Sequence, residues 1–219
     1  MSTAANLRTA RNLRNLDWRD LHDMILVPRH GLSLDLANTV AWRGSAPADS
    51  LHNCHDVLAW LASAKALPAR GVAELRKWFD AHPGDAAIVF SETIEIRETL
   101  YRLLHSAAAK LAPAHEDLRR LNGALRQAAP RANLARADKS FGWHVEVKPA
   151  AAGILAPVLW SAADILVGPD CARVRECAND KCLWLFLDDS KNGTRRWCSM
   201  QACGNRAKAH RHYLRRKGK

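Results

Sequence analysis

Four cysteines near the carboxyl end of the sequence have the residue type and spacing of a metal site. Four residues separate Cys177 from Cys182, fifteen residues follow, and Cys198 and Cys203 repeat the spacing of four. Zinc prefers four soft ligands in a tetrahedron, and two cysteine pairs on separate loops supply them. Without a secretion signal, cysteines are more often metal ligands than disulfide partners. We therefore predict a Zn²⁺ site, and a structural one, because four thiolates leave no position for water or substrate.

The residues between and after the cysteines predict the elements that position them. The apolar run 183–187 is typical of a strand, 188–194 of a polar hairpin turn, and 195–198 of the returning strand. The residues after Cys203 are good helix formers. We therefore predict a zinc module at 171–217, built from a β-hairpin followed by a helix.

The positive charge of the chain is concentrated in this module. The whole chain has a net charge of +11, and residues 173–219 contain 13 Lys and Arg against 4 Asp and Glu. A compact basic module next to a nearly neutral body favours a polyanionic partner, most often nucleic acid. The alternative is a solvated tail whose charge only prevents aggregation.

A helical wheel of the last helix predicts one buried side and one basic side. Met200, Cys203 and Leu214 fall near Ala207 and form the expected buried side. The opposite arc suits the major groove of DNA, with two hairpin arginines holding a neighbouring phosphate. The predicted DNA-binding residues are Arg195, Arg196, Asn205, Arg206, Lys208, His212, Arg215 and Arg216. Two alternatives stay open: the arc is a solvated face, or Asn205 and Arg206 have a structural role in the module.

The first 170 residues predict a mainly α body with a little β. Helical spacing of apolar residues indicates helices over 51–62, 72–81, 85–112, 113–129 and 150–167, the last interrupted at Pro157. Asp49 or Ser50 is the candidate N-cap of the first of these helices. Alternating apolar and polar residues at 143–147 indicate a strand, and 30–40 is either a short strand or a first helical turn.

A short polar cluster follows the apolar residues at the start of the body. Asp35, Asn38 and Thr39 lie next to Leu32, Leu34 and Leu36 in the sequence. They are the candidate ligand-binding residues of a small-molecule pocket. Equally, they can form a local turn or helix cap in which Asp and Asn satisfy backbone groups.

Motifs in both halves resemble a known family arrangement. Cys203-Gly204-Asn205-Arg206, preceded by Trp197-Cys198-Ser199-Met200, resembles the CGNR zinc-finger family. The segments 34–39 (LDLANT) and 56–61 (DVLAWL) resemble the ABATE domain, which precedes that zinc finger. The resemblance implies a bacterial transcription regulator, the ABATE domain being described as a stress-induced regulator. The expected organisation is an N-terminal extension (1–27), an ABATE-like helical domain (28–170) and a CGNR-type zinc finger (171–217).

Other function classes find little support in the sequence. It has no P-loop, no G-x-G-x-x-G, no H-E-x-x-H and no G-x-S-x-G, so we expect no enzyme. No apolar run is long enough for a membrane span, and we expect a cytoplasmic protein without membrane partners. Within the zinc module, His210 and His212 are alternative zinc ligands to the four cysteines.

The sequence thus predicts a DNA-binding regulator with a structural four-cysteine zinc module. The body would act as a sensor of a small-molecule effector or as a homodimerisation unit. The alternative is a ligand-binding or protein-interaction protein whose zinc module docks on an acidic partner. Because zinc can stabilise the small module by itself, we expect Cys198→Ser to unfold the module and leave the body intact.

Overall fold

The computed structural model describes residues 23–137 and 140–217. The predicted fold class, mainly α with a little β, is confirmed. In this part of the chain no helix is both long and apolar enough to cross a membrane. The α-helices described are α1 (Leu32–Ala37), α2 (Cys54–Ser63), α3 (Ala69–Ala81), α4 (Pro83–Ala109), α5 (His115–Gln127), α6 (Ala151–Ile154), α7 (Ala156–Val167) and α8 (Asn205–Lys217).

Short antiparallel strands complete the described fold. They are β1 (Asp23–Leu26), β2 (Val40–Ala41), β3 (Ala48–Asp49), β4 (Asn133–Ala137), β5 (Ser140–Glu146), β6 (Val174–Glu176) and β7 (Leu185–Leu187). One sheet has the order β1-β5-β4, and β2 pairs with β3 and β6 with β7. β5 confirms the strand predicted at 143–147, although it begins earlier. Residues 1–22 of the expected N-terminal extension (1–27) lie outside the described residues. Strand β1 lies within residues 23–27 of that extension.

The 27-residue helix α4 is the axis of the body. Pro83 opens it at a position where the missing N–H costs no hydrogen bond, and Lys110 ends it in the left-handed conformation (φ 57°). Its buried side chains recur at helical spacing and pack against the surrounding helices and β6: Val89, Thr93, Arg97, Thr99, Leu100, Leu103 and Leu104. A core helix therefore runs from the far end of the body to the zinc module.

Two predicted helix boundaries in the body are wrong for local reasons. The predicted N-cap residues Asp49 and Ser50 do not begin α2. Asn53 caps it instead, its side chain accepting a hydrogen bond from the N–H of Asp56. The interruption predicted at Pro157 lies at Leu155, between α6 and α7. Pro157 lies in the first turn of α7, where a proline fits the helix.

The β-hairpin of the zinc module is present, but its strands differ from the predicted ones. β7 pairs with β6, placing Val174 opposite Leu187 and Glu176 opposite Leu185. The predicted return strand 195–198 is not a strand. The buried carboxylate of Asp188 accepts hydrogen bonds from Ser190 and from the N–H of Arg195. These bonds close the polar loop locally, so the chain leaves it without pairing to β7.

The zinc module packs directly on the body. Val174 of β6 and Leu185 of β7 are buried in one apolar cluster with Leu34, Leu104 and Ile165 of the body. The last helix differs from the rest, because none of the residues of α8 is buried. The hairpin of the module is thus held by the body, while α8 lies on the surface.

Candidate metal centre and basic helix

The four predicted cysteines converge on one point. Their sulfur atoms all lie within 4.8 Å of one another. Sγ of Cys198 is 3.8 Å from Sγ of Cys182 and 3.8 Å from Sγ of Cys203. A Zn–S bond of about 2.3 Å places neighbouring sulfurs of a tetrahedron about 3.8 Å apart. Together with Cys177, these three cysteines form a four-cysteine zinc site. Its closed set of ligands makes it a structural site.

The first cysteine pair lies on a tight knuckle between β6 and β7. The carbonyl of Asn179 accepts hydrogen bonds from the N–H groups of Cys182 (2.8 Å) and Leu183 (3.3 Å). Leu183 has a positive φ of 56°, which turns the chain back into β7. The side-chain amide of Asn179 donates to Sγ of Cys203 at 3.4 Å. The knuckle thus positions its own sulfurs and one sulfur of the other pair.

The second pair is shaped by a π-helical turn, Met200–Gly204, which precedes α8. Ser199 caps this turn, its hydroxyl accepting a hydrogen bond from the N–H three residues later. Cys203 is buried within the turn. A Cβ atom on Gly204 would lie 2.7 Å from the sulfur of Met200, closer than real contacts allow. A side chain at position 204 would therefore have to displace the flexible, half-exposed end of Met200.

Without a bound metal, the thiols of the cluster share protons unequally. A hydrogen bond from Cys198 lowers the pKa of Cys177 to about 5. The same hydrogen bond raises the pKa of Cys198, which holds the shared proton. Burial raises the pKa of Cys182 to about 11. Four thiolates so close together need a bound cation, and Zn²⁺ supplies the charge that deprotonates them.

The predicted ligand residue Asn38 connects the body to the zinc module. Its side-chain N–H donates to the carbonyl of Leu185 (2.8 Å), and its side-chain oxygen accepts from the N–H of Leu185 (3.0 Å). Asp35 is ion-paired with Arg29. The hydroxyl of Thr39 donates to the carbonyl of Leu36 at 2.8 Å. Ligand binding by these residues stays a prediction, while the structure gives each of them a partner within the protein.

Further hydrogen bonds and one close backbone approach join the body to the first knuckle. The indole N–H of Trp184 donates to the carbonyl of Val40 (3.0 Å), and the hydroxyl of Tyr101 to the carbonyl of Leu183 (3.2 Å). A Cβ atom on Gly44 would lie 1.8 Å from the carbonyl oxygen of Asp180, so only glycine allows this approach. The body thus contacts the knuckle through backbone groups on both sides of Cys182.

The two predicted DNA contacts outside α8 have different environments. The guanidinium of Arg195 donates to the carbonyls of Trp197 and Cys198, pairs with Asp189 and lies 4.6 Å from the ring centre of Phe186. Arg195 therefore shapes the loop that carries Cys198. Arg196 is exposed, with its guanidinium 5.5 Å from the ring centre of Trp197.

The predicted basic side of α8 is fully on the surface. Asn205, Lys208, His212, Arg215 and Arg216 are all exposed. The predicted buried side is only partly correct. Cys203 is buried and Ala207 half-buried, but the exposed fractions of Met200 and Leu214 are 52% and 53%. The error arises because the body contacts the hairpin and the start of α8, and no described element covers the later turns.

Arg206 contacts the body, while DNA binding by this residue stays a prediction. Its guanidinium lies 4.4 Å from the ring centre of Trp42, a residue of the body. Its side chain is nevertheless exposed. His210 and His212, the rival zinc ligands, lie outside the cysteine cluster.

Several residues that support the site were not predicted. Trp42, Trp184, Asn179 and Asp188 act through long-range contacts or loop hydrogen bonds, which a helical or strand periodicity does not reveal. The sequence feature closest to a signal for these supporting residues is that Trp184 and Trp197 lie close to zinc-ligating cysteines.

Two family models match the chain over most of its length. The model of the CGNR zinc finger matches residues 173–216. The ABATE model, with the description "putative stress-induced transcription regulator", matches residues 31–169. No curated protein matches the sequence. The chain therefore belongs to the ABATE family and carries a C-terminal CGNR zinc finger.

Proposed function

We propose that this protein is a DNA-binding transcription regulator in which the structural zinc site holds the basic helix α8 against the nucleic acid. The family description supports the regulatory part of this proposal. The basic helix supports the DNA-binding part. We further propose that the protein is not an enzyme and that it acts in the bacterial cytoplasm, where its DNA target would be.

The observation that carries the proposal is the composition and exposure of α8. Its 13 residues include six Lys and Arg and no acidic residue, and none of its side chains is buried. Within residues 23–137 and 140–217, its cations have no carboxylate partner at ion-pair distance. Six unpaired cations on one exposed helix repel one another, and a polyanion relieves that repulsion.

The zinc site explains how such a helix is presented. The turn that contains Cys203 leads directly into Asn205, the first residue of α8. The start of the helix is therefore fixed by the metal, while its later turns extend over the surface. A helix held at one end and exposed along its basic side has the shape that enters the major groove. Lys and Arg would meet phosphates there, and Asn205 and His212 would reach base edges or phosphates.

The direct test compares two triple variants of equal charge change. Lys208→Ala, Arg215→Ala and Arg216→Ala remove three cations from α8, and Arg70→Ala, Arg76→Ala and Lys77→Ala remove three exposed cations from α3. We expect the α8 variant to lose DNA affinity by at least about tenfold at 0.1 M salt, with unchanged zinc content. The α3 variant should bind like the wild type. Equal binding by all three proteins would reject the proposal and favour docking on an acidic protein partner.

The body offers a place for the proposed effector. A cleft of about 200 Å³ lies between α4, α5 and the α6–α7 region. Apolar Ile96, Leu100 and Leu121 share its lining with polar Glu95 and Arg120. Such a mixture of apolar walls and a few polar groups suits a small ligand. We propose effector binding or homodimerisation as a role of the body in addition to its packing against the hairpin of the module.

A further inference from the structure

A cleft lies where the body meets the start of the basic helix. Its volume is about 460 Å³. The body supplies one wall of the cleft. The first knuckle and the start of α8 supply the other walls. The lining side chains used below are Trp42, Asp180, Lys181, Arg206 and His210.

Arg206 is pre-organised in this cleft. Its guanidinium is 4.4 Å from the ring centre of Trp42, which fixes the planar group by a cation–π contact. Among the described residues, no hydrogen bond uses the N–H groups of Arg206. No carboxylate among the described residues pairs with Arg206. A planar group with free N–H edges is suited to bidentate hydrogen bonds with an oxyanion.

The backbone of Trp42 adds a second, independent observation. Its φ is 57°, in the left-handed region that bulky residues rarely adopt. The neighbouring loop is held there by the close approach of Gly44 to Asp180 and by a hydrogen bond from the N–H of Gly44 to the carbonyl of Lys181 (3.3 Å). Strained residues fixed by their surroundings are concentrated at binding sites. In this fixed loop the indole of Trp42 lies beside the guanidinium of Arg206.

The other polar groups of the cleft complement an anion. Lys181 lies on the knuckle and His210 one turn beyond Arg206 on α8, and both are exposed. They approach the cleft from different walls, as a tetrahedral anion with several acceptor oxygens requires. Asp180 is the acidic residue of the lining, and Lys181 and Arg206 outweigh its charge.

We propose that this cleft binds a phosphate group, contacted by Arg206, Lys181 and His210, and that Trp42 is the positioning residue for Arg206. The inference rests on the proposed function, in which the phosphate belongs to the DNA backbone beside α8. The body then contributes directly to DNA binding through Trp42. A free phosphate or pyrophosphate anion offers the same oxygen acceptors, and the experiment separates DNA from the free anion by using pyrophosphate as the probe.

The experiment uses the full chain with zinc bound, four single variants, one double variant and the α8 triple variant described above. Arg206→Ala removes the contact, and Arg206→Lys keeps the charge but loses the planar stack. Trp42→Gly removes the indole, and glycine accepts the left-handed backbone without strain. Arg131→Ala is the matched control, because Arg131 also stacks on a tryptophan (Trp160, 5.6 Å) but is ion-paired with Asp164. Affinity for a mixed-sequence DNA duplex is measured by fluorescence anisotropy, affinity for inorganic pyrophosphate by calorimetry, and zinc content by metal analysis.

We expect Arg206→Ala and Trp42→Gly each to weaken DNA binding by about threefold to tenfold, with normal zinc content. Arg206→Lys should recover only part of the loss, and Arg131→Ala should bind normally. Adding Trp42→Gly to Arg206→Ala should cause no further loss, because Trp42 acts through Arg206.

The remaining outcomes each decide a point. Normal DNA binding by Arg206→Ala and Trp42→Gly, with loss in the α8 triple variant, would overturn the cleft proposal and leave the proposed function standing. A wild type that binds pyrophosphate in a Trp42-dependent way but not DNA would keep the phosphate site and reject the proposed function. A wild type that binds neither would overturn both.

Discussion

At the scale of single residues, the loop between α1 and α2 depends on a buried cation. Arg97 on α4 is 3% exposed, and two of its nitrogens contact the carboxylate of Asp49 at 2.7 and 2.8 Å. A third contacts Glu98 at 2.8 Å. Burial raises the pKa of Asp49, but the hydrogen bonds and charge of Arg97 outweigh it and hold that pKa below its usual value. A capping role was predicted for Asp49 because its distant partner cannot be seen in the sequence.

Asp49→Asn should destabilise the protein by about 2 kcal/mol at pH 7, because the buried guanidinium of Arg97 then has only one carboxylate partner, Glu98. The partial exposure of Asp49 and the remaining contact with Glu98 limit the loss. Since the folded-state pKa of Asp49 is depressed, its contribution is complete above about pH 4 and is lost as the pH falls through the folded value. Urea unfolding at several pH values measures both effects. The exposed Asp189→Asn serves as control, and an equal loss in the two variants would contradict this role for Arg97.

Asn38→Ala tests the residue that joins α1 to β7. The variant leaves the N–H and carbonyl of Leu185 without their partners, which should cost about 2 kcal/mol of unfolding free energy. The exposed Asn192→Ala should cost less than about 0.5 kcal/mol. A thermal-shift screen of both proteins against a metabolite library tests whether Asn38 also binds a ligand. A ligand that stabilises the wild type but not Asn38→Ala would restore the predicted ligand-binding role.

At the scale of elements, the zinc module and the body share a core. β6 and β7 pack on α1, α4 and α7 through the cluster of Leu34, Leu104, Ile165, Val174 and Leu185. The expectation that the module unfolds alone therefore changes. Losing the zinc frees the knuckle, and the free knuckle exposes that cluster to water.

Cys198→Ser should lower the melting temperature of the whole chain in one transition. A few kcal/mol of lost joint contacts correspond to about 5–10 °C for a chain of this size. Hydrogen exchange should also accelerate at 38–44, the body segment that contacts the knuckle. Cys171→Ser is the matched control, because Cys171 lies outside the cluster. A body that melts at the wild-type temperature after zinc loss would show that the two parts are independent.

Elements that depend on local pattern were predictable, and those that depend on distant partners were not. The long helix α4 and the strand β5 follow from apolar periodicity, and the four zinc ligands follow from their spacing. β7 pairs with β6 and not with 195–198, and the hydrogen bonds that close the Asp188 loop were not visible in the sequence. The proline at 157 was also a poor guide, because the helix is interrupted at Leu155 and Pro157 lies inside the first turn of α7.

At the scale of the whole molecule, charge and packing are divided between the two parts. The first 172 residues contain 20 Lys and Arg against 18 Asp and Glu, so nearly all excess charge belongs to the zinc module. The body holds the hairpin of that module and, through Trp42, the start of α8. The composition predicted the charge division, whereas only the structure shows the contacts that connect the parts.

The salt dependence of DNA affinity tests the central claim most directly. A plot of the logarithm of the association constant against the logarithm of salt concentration has a slope of about −0.9 for each phosphate neutralised. We predict a steep negative slope for the wild type and a slope less negative by about 2–3 units for the Lys208, Arg215 and Arg216 triple variant. Parallel lines for the two proteins, or a wild-type slope near zero, would contradict the claim that α8 binds DNA.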